Sequence, residues 1–176
     1  HLEVAQRYVD LNPEDQERAA RESRQITAIY QQRSAQTDWL HPFAAPLPGV
    51  AGGRNFGQRR FFNGQPRNPH SGADLRASEG TPVFAANGGR IALAEHLFFS
   101  GNAVFLDHGQ GIHSVYAHLS DIEVEVGEMV ERGDVVGLAG ATGRVTGPHL
   151  HWGIRAQDAR VDPFSLLEMN GTIAAD

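Results

Sequence analysis

Gly147-Pro148-His149-Leu150-His151-Trp152-Gly153-Ile154 sets two histidines two residues apart in a run of strand-forming residues, directly after a Gly-Pro break. Successive side chains of a strand point to opposite faces, so His149 and His151 share one face while Leu150 and Trp152 take the other. Neutral imidazole is a common metal ligand, and zinc is readily held by side chains projecting from strands. A half-exposed strand that carries two histidines by chance is the competing reading of this stretch alone. Under both readings the segment is β.

Further upstream lies Asn68-Pro69-His70-Ser71-Gly72-Ala73-Asp74. His70 and Asp74 would share a face on a helix, but Pro69 and Gly72 argue against a regular one. A turn leading into a strand can also bring the two side chains together, and an imidazole with a carboxylate suits zinc. Together with His151 they make three protein ligands and leave one position for water, the arrangement of a catalytic rather than a closed structural zinc. His149 lies on the face of His151, near the metal with or without ligating it. His118 ends the candidate strand Ile112–His118, where simple alternation puts it on the face of Tyr116 and opposite His113. A non-ligating imidazole beside a zinc-bound water can take its proton, and a second can donate to the oxyanion formed when a carbonyl is attacked.

The rest of the chain supplies the setting. Asn12-Pro13-Glu14-Asp15 is a helix start, with a capping Asn, Pro at the first position and acids at the positive end of the dipole. Ala19, Ser23, Ile26 and Tyr30 then recur at helical spacing, so an amphipathic helix is expected over Pro13–Ala35. Trp39 to Gly53 is dense in proline and glycine, as in a linker or an irregular entry into the next unit. Six strands are expected beyond it, at Thr81–Ala86, Gly89–Glu95, Ala103–His108, Ile112–His118, Val135–Ala139 and Leu150–Arg155. Hairpins are expected at Asn87-Gly88-Gly89 and Gly109-Gln110-Gly111. The fold class is therefore mainly β: a compact antiparallel β domain preceded by an N-terminal amphipathic helix.

Composition excludes several functions. The 176 residues carry a net charge of −6, against a polyanion binder, so no nucleic-acid partner is expected. Cysteine is absent, which removes thiol catalysis and thiolate-bound zinc. All 15 basic residues are arginine. Val126 to Gly137 has the turn-and-strand rhythm of biotinyl and lipoyl carrier domains, but those attach their cofactor to lysine, so only the shape carries over. No apolar run is long enough to span a bilayer. The first ten residues do not look like a signal peptide, and the missing initiator Met suggests a fragment or processed form.

His70-x-x-x-Asp74, then Tyr116-Ala117-His118-Leu119, then His149-x-His151 in that order resemble the LytM and lysostaphin type of zinc metallopeptidase, family M23. The resemblance runs from about Pro46 to Leu167. It implies a strand-lined groove related in shape to barrel-sandwich hybrids. It also implies one Zn2+ per chain on His70, Asp74 and His151, with His118 and His149 as catalytic histidines, His149 as general base and His118 on the oxyanion or the reverse. The implied substrates are peptidoglycan stem peptides and cross-links. Arg59 to Arg67 resembles the Gram-negative members, which implies D-alanyl–diaminopimelate bonds rather than glycyl-glycine bridges, and a periplasmic or cell-envelope location. A non-catalytic wall-binding or amidase-activating module on the same fold is the rival reading, and the intact ligand set argues against it.

The expected organisation is an N-terminal strand and helix segment over 1–40, the tail of an upstream domain with a regulatory role. A zinc peptidase domain over 41–168 and a C-terminal tail over 169–176 follow. His1, His41, His96, His108 and His113 read as surface or packing residues, His113 pointing away from the His118 face. Arg54, Arg59, Arg60 and Arg67 read as a solvated cluster or as a binding site for substrate carboxylates.

Overall fold

The computed structural model describes residues 2–39, 41–49 and 53–173, with side chains to Glu168. Helix α1 spans Pro13–Gln31, and the Asn12 side chain accepts the Asp15 N–H at 2.8 Å, as the sequence predicts. It stops four residues short of Ala35. The chain beyond it pairs with the turn at 109–111 instead, Gln110 N–H donating to the Ser34 carbonyl and Thr37 bridging Gly109. Ile26, Ile29 and Tyr30 lay the helix on a cluster that includes Leu93, Phe105 and Ala117.

Eleven strands follow among the described residues: β1 (Arg60–Phe62), β2 (Gln65–Arg67), β3 (Ala73–Arg76), β4 (Pro82–Phe84), β5 (Gly89–Leu97), β6 (Gly101–Asp107), β7 (Ile112–Ile122), β8 (Met129–Val130), β9 (Val135–Ala139), β10 (His149–Ala156) and β11 (Ala159–Val161). β1 and β2 form a hairpin of their own. The other nine make one antiparallel sheet with the path β11-β10-β7-β6-β5-β8, β3 flanking β10, and β9 pairing with both β7 and β4. Each of the six expected strands is present. Helix α2 (Pro163–Ile173) closes the described chain; within 169–176, residues 169–173 extend this helix and 174–176 lie outside the described residues.

The turn at 109–111 joins the paired strands β6 and β7, as expected. That at 87–89 does not make a hairpin: β4 pairs with β9, and β5 pairs with β6 and β8. The Asn87 side chain donates to the His41 carbonyl at 2.6 Å, and a Cβ on Gly88 would lie 2.6 Å from the Asp38 carbonyl oxygen. This corner is thus packed against the segment after α1 and redirects the chain into another part of the sheet. Within the proline-rich stretch, Phe43 and Leu47 are buried in the main core; residues 40 and 50–52 lie outside the described residues. Trp152, Tyr116, Leu75 and Leu150 fill that core from β10, β7 and β3.

Candidate metal centre

β10 lies between β3 and β7, and this order assembles the site. Asp74 is the cross-strand partner of His151, whose other neighbour is Ala117. His70 reaches the same place from the turn before β3. Gly72 makes that turn possible, since a Cβ there would meet the Trp152 carbonyl oxygen at 2.3 Å.

His118 arrives by an irregularity. Asn102 pairs with Leu119 but Val104 with Tyr116, so β7 holds one extra residue opposite β6, a β-bulge. His118 sits in it with φ 66°. The bulge shifts the phase of the strand: Tyr116 and Leu119 both enter the main core, and His118 emerges on the face of Ala117 and His151. Its ring lies 5.0 Å from that of His149 and 6.0 Å from that of His151. The expectation from alternation is therefore corrected. His118 lies opposite Tyr116, and it shares its face with His113, the partner of Arg155 on β10.

Three atoms converge: His70 Nε2, His151 Nδ1 and Asp74 Oδ1, with separations of 3.0 Å between the imidazoles, 3.0 Å from His70 to Asp74 and 2.9 Å from His151 to Asp74. His70 Nδ1 is 3.0 Å from the Asn55 carbonyl and donates to it, so its Nε2 carries a lone pair rather than a proton. Burial keeps His151 below the usual histidine range, against the pull of Asp74. Burial opposes ionisation of Asp74 as well, but the adjoining His151 and His70 rings outweigh it and hold the carboxyl well below the usual carboxylate range. Electron-rich atoms facing one another this closely form a cation site. Tetrahedral zinc with bonds of about 2.0–2.1 Å requires donors about 3.3 Å apart, so the three atoms need only separate slightly. The donor set, two imidazoles and one carboxylate, fits that metal.

Two further imidazoles flank the centre. His118 Nδ1 donates to the Thr142 carbonyl at 2.9 Å and His149 Nδ1 to that of Gly147 at 2.8 Å. Each Nε2 is left as an acceptor, and that of His149 lies 3.8 Å from Asp74 Oδ1. Burial, reinforced by the neighbouring His151 and His149, lowers His118 to about 3, so it is neutral at pH 7.

Two residues support the ligands: Asn55, which has no signature in the sequence, and Arg60, which the sequence shows only as part of a basic cluster. Asn55 accepts the Asp74 N–H on its side-chain oxygen at 3.1 Å and donates to Asp74 Oδ2 at 3.3 Å, so it orients both His70 and Asp74. Arg60 makes an ion pair with Asp74 Oδ2. It is thus tied to a candidate ligand, while Arg54 pairs with Glu168 at the surface.

The profile of peptidase family M23 matches residues 68–163. The peptidoglycan DD-endopeptidase ShyA of Vibrio cholerae is 42% identical over 99 residues, 56% of this chain but only 23% of ShyA. The chain thus spans under a quarter of that relative. A crystal structure assigned to peptidase M23 from Pseudomonas aeruginosa superposes with a TM-score of 0.75 at 41% identity, over 90% of this chain and 64% of the other. The catalytic domain of lysostaphin from Staphylococcus simulans does so with a TM-score of 0.63 at 31% identity, over 72% of this chain and 98% of that domain.

Proposed function

The chain belongs to peptidase family M23, and on that premise we propose that it is a zinc-dependent endopeptidase that hydrolyses the peptide cross-links of peptidoglycan. The convergence of His70, Asp74 and His151 on one point, with two more imidazoles beside it, carries this reading. We assign the catalytic unit to residues from 41 onwards, through helix α2, and the first 40 residues to a regulatory region. The substrate sets the place of action in the cell envelope, and in a Gram-negative cell in the periplasm.

His70, Asp74 and His151 would hold the zinc, which when bound polarises the scissile carbonyl and makes a water acidic enough to attack at neutral pH. His149 and His118 handle the proton. Both turn Nε2 towards the metal centre, fixed there by a backbone carbonyl on Nδ1. The ring that accepts the proton becomes a donor, able to stabilise the oxyanion or to protonate the leaving amine. Arg60 and Asn55 hold Asp74 in place. The bond favoured is D-alanyl–diaminopimelate, which joins two D-configured centres, in line with the DD-endopeptidase name of ShyA.

The test is His149→Ala with purified sacculi. It should keep one zinc per chain and lose cleavage by about 10²–10⁴-fold, the range of a general base. Mass spectrometry of the products of the unsubstituted protein identifies the bond. Full activity in the variant removes His149 from the mechanism, and bound zinc without released fragments in the unsubstituted protein rejects the endopeptidase.

A further inference from the structure

For a chain of net charge −6, the cavity beside the metal centre is charged the wrong way. Of about 370 Å³, it is lined by His70, His118 and His151 and by Arg60, Arg67, Arg144 and Arg160. No carboxylate is among its lining residues. Only Arg60 has an acidic partner among the described residues, Asp74. Arg67 donates to the Val9 carbonyl and the Gln65 side chain, neither of which neutralises it.

Arg144 is held between two aromatic rings. Its guanidinium carbon lies 4.5 Å from the centre of the Phe62 ring and 4.4 Å from that of Phe99. The Arg144 backbone N–H donates to the Phe99 carbonyl at 2.9 Å, and a Cβ on Gly143 would lie 2.3 Å from Gly101 N, so the loop is pressed onto the β5–β6 turn. Thr142 of the same loop holds His118. Burial, with Arg67 and Arg60 nearby, lowers Arg144 to about 10, still charged at pH 7. A guanidinium partly removed from water, facing like charges and held by aromatic rings, is a prepared site for a planar anion.

Taking the endopeptidase reading as given, we propose that Arg144 is a specificity-determining residue that binds the substrate carboxylate next to the scissile amide. In a D-alanyl–diaminopimelate link, the carbon bonded to the amide nitrogen also bears a free carboxylate. A glycyl-glycine bridge has none at that position. Arg67 and Arg160 add the field that draws the carboxylate into the cavity, and the Arg144 fork fixes it. The loop that anchors the fork also orients His118, so the carboxylate is seated in register with the reacting carbonyl.

Two cross-linked muropeptide dimers test this, one with that diaminopimelate carboxylate free and one with it amidated. The unsubstituted protein should prefer the free dimer by 10–100-fold in kcat/KM. In Arg144→Gln this ratio should fall to about 1, with zinc content and Tm retained. Arg144→Lys, which keeps the charge and loses the fork, should fall in between, and it carries the test if the Gln variant does not fold. A preference that survives in Arg144→Gln overturns the proposal, as does equal cleavage of both dimers by the unsubstituted protein. If that protein cleaves neither dimer, the endopeptidase reading fails, and the uncleaved dimers decide the subsite. Titrated against the Arg144 Nε–H NMR signal, a Kd at least tenfold tighter for the free dimer supports it, and equal values overturn it.

Discussion

His113 and His118 stand five residues apart on one strand and one face, yet they belong to different worlds. His113 is fully buried, with the Tyr30 ring of α1 edge-on at 5.4 Å and the Asp107 carboxylate 3.6 Å from its Nε2. His118 lies in the bulge, beside His149 and His151. Across the sheet His108 makes the contrast sharper: its Nδ1 donates to the Gly88 carbonyl at 2.7 Å and its Nε2 meets Ser114 Oγ at 2.8 Å. Both nitrogens are engaged inside the protein. At the metal end, His70, His118 and His149 each engage one nitrogen with a backbone carbonyl and leave the other for the metal centre. The cover over a histidine and the partners of its two nitrogens separate a packing residue from one available for chemistry.

The largest expected effect is on the metal. Asp74→Ala should lose zinc, measured by elemental analysis of the purified protein, while His108→Gln keeps one per chain. Near-stoichiometric zinc in Asp74→Ala would erase the distinction between the two ends.

Next comes stability against acid. Burial lowers His108 to about 4, below its unfolded value, so the folded state prefers the neutral ring. The stabilisation is present above about pH 6.5 and is lost as pH falls towards 4, the loss reaching about 3 kcal/mol there. Urea unfolding at pH 7 and pH 4 should show His108→Gln losing about 3 kcal/mol less than the unsubstituted protein over that interval. Equal losses would mean that His108 is not held neutral by the core.

A smaller effect sharpens the picture of the metal end. Asn55→Ala leaves all three candidate ligands in place but releases the side-chain contacts that orient Asp74. Zinc affinity, read by competition with a chelator, should weaken about 10–100-fold. Unchanged affinity would show that Arg60 and the β3–β10 pairing hold Asp74 without it.

Much of this was legible in the residues. Alternation in the late strand put His149 and His151 together, and Asn12-Pro13 marked the start of α1. The glycine turns delimited the six expected strands. β3 was not visible, because four residues after a Pro- and Gly-interrupted turn carry too little pattern to register as a strand. β1, β2, β8 and β11 are shorter still, and β2 contains Pro66. Asn55 lies in an irregular segment 19 residues before Asp74, where no periodicity points to it. The bulge at His118 inverted the face that alternation assigns, and the Asn87–Gly89 corner imitated a hairpin.

The sequence by itself determined the available chemistry: imidazoles and one carboxylate for a metal, no thiol, no lysine, and strands whose faces follow from a period of two. Only the tertiary structure decided that Asp74 meets His151 across 77 residues, that His118 turns towards them, and which nitrogen of each ring is left to act. Side-chain periodicity is a property of neighbouring residues. Strand register, a bulge and the choice of a carbonyl partner are settled only when distant segments pack.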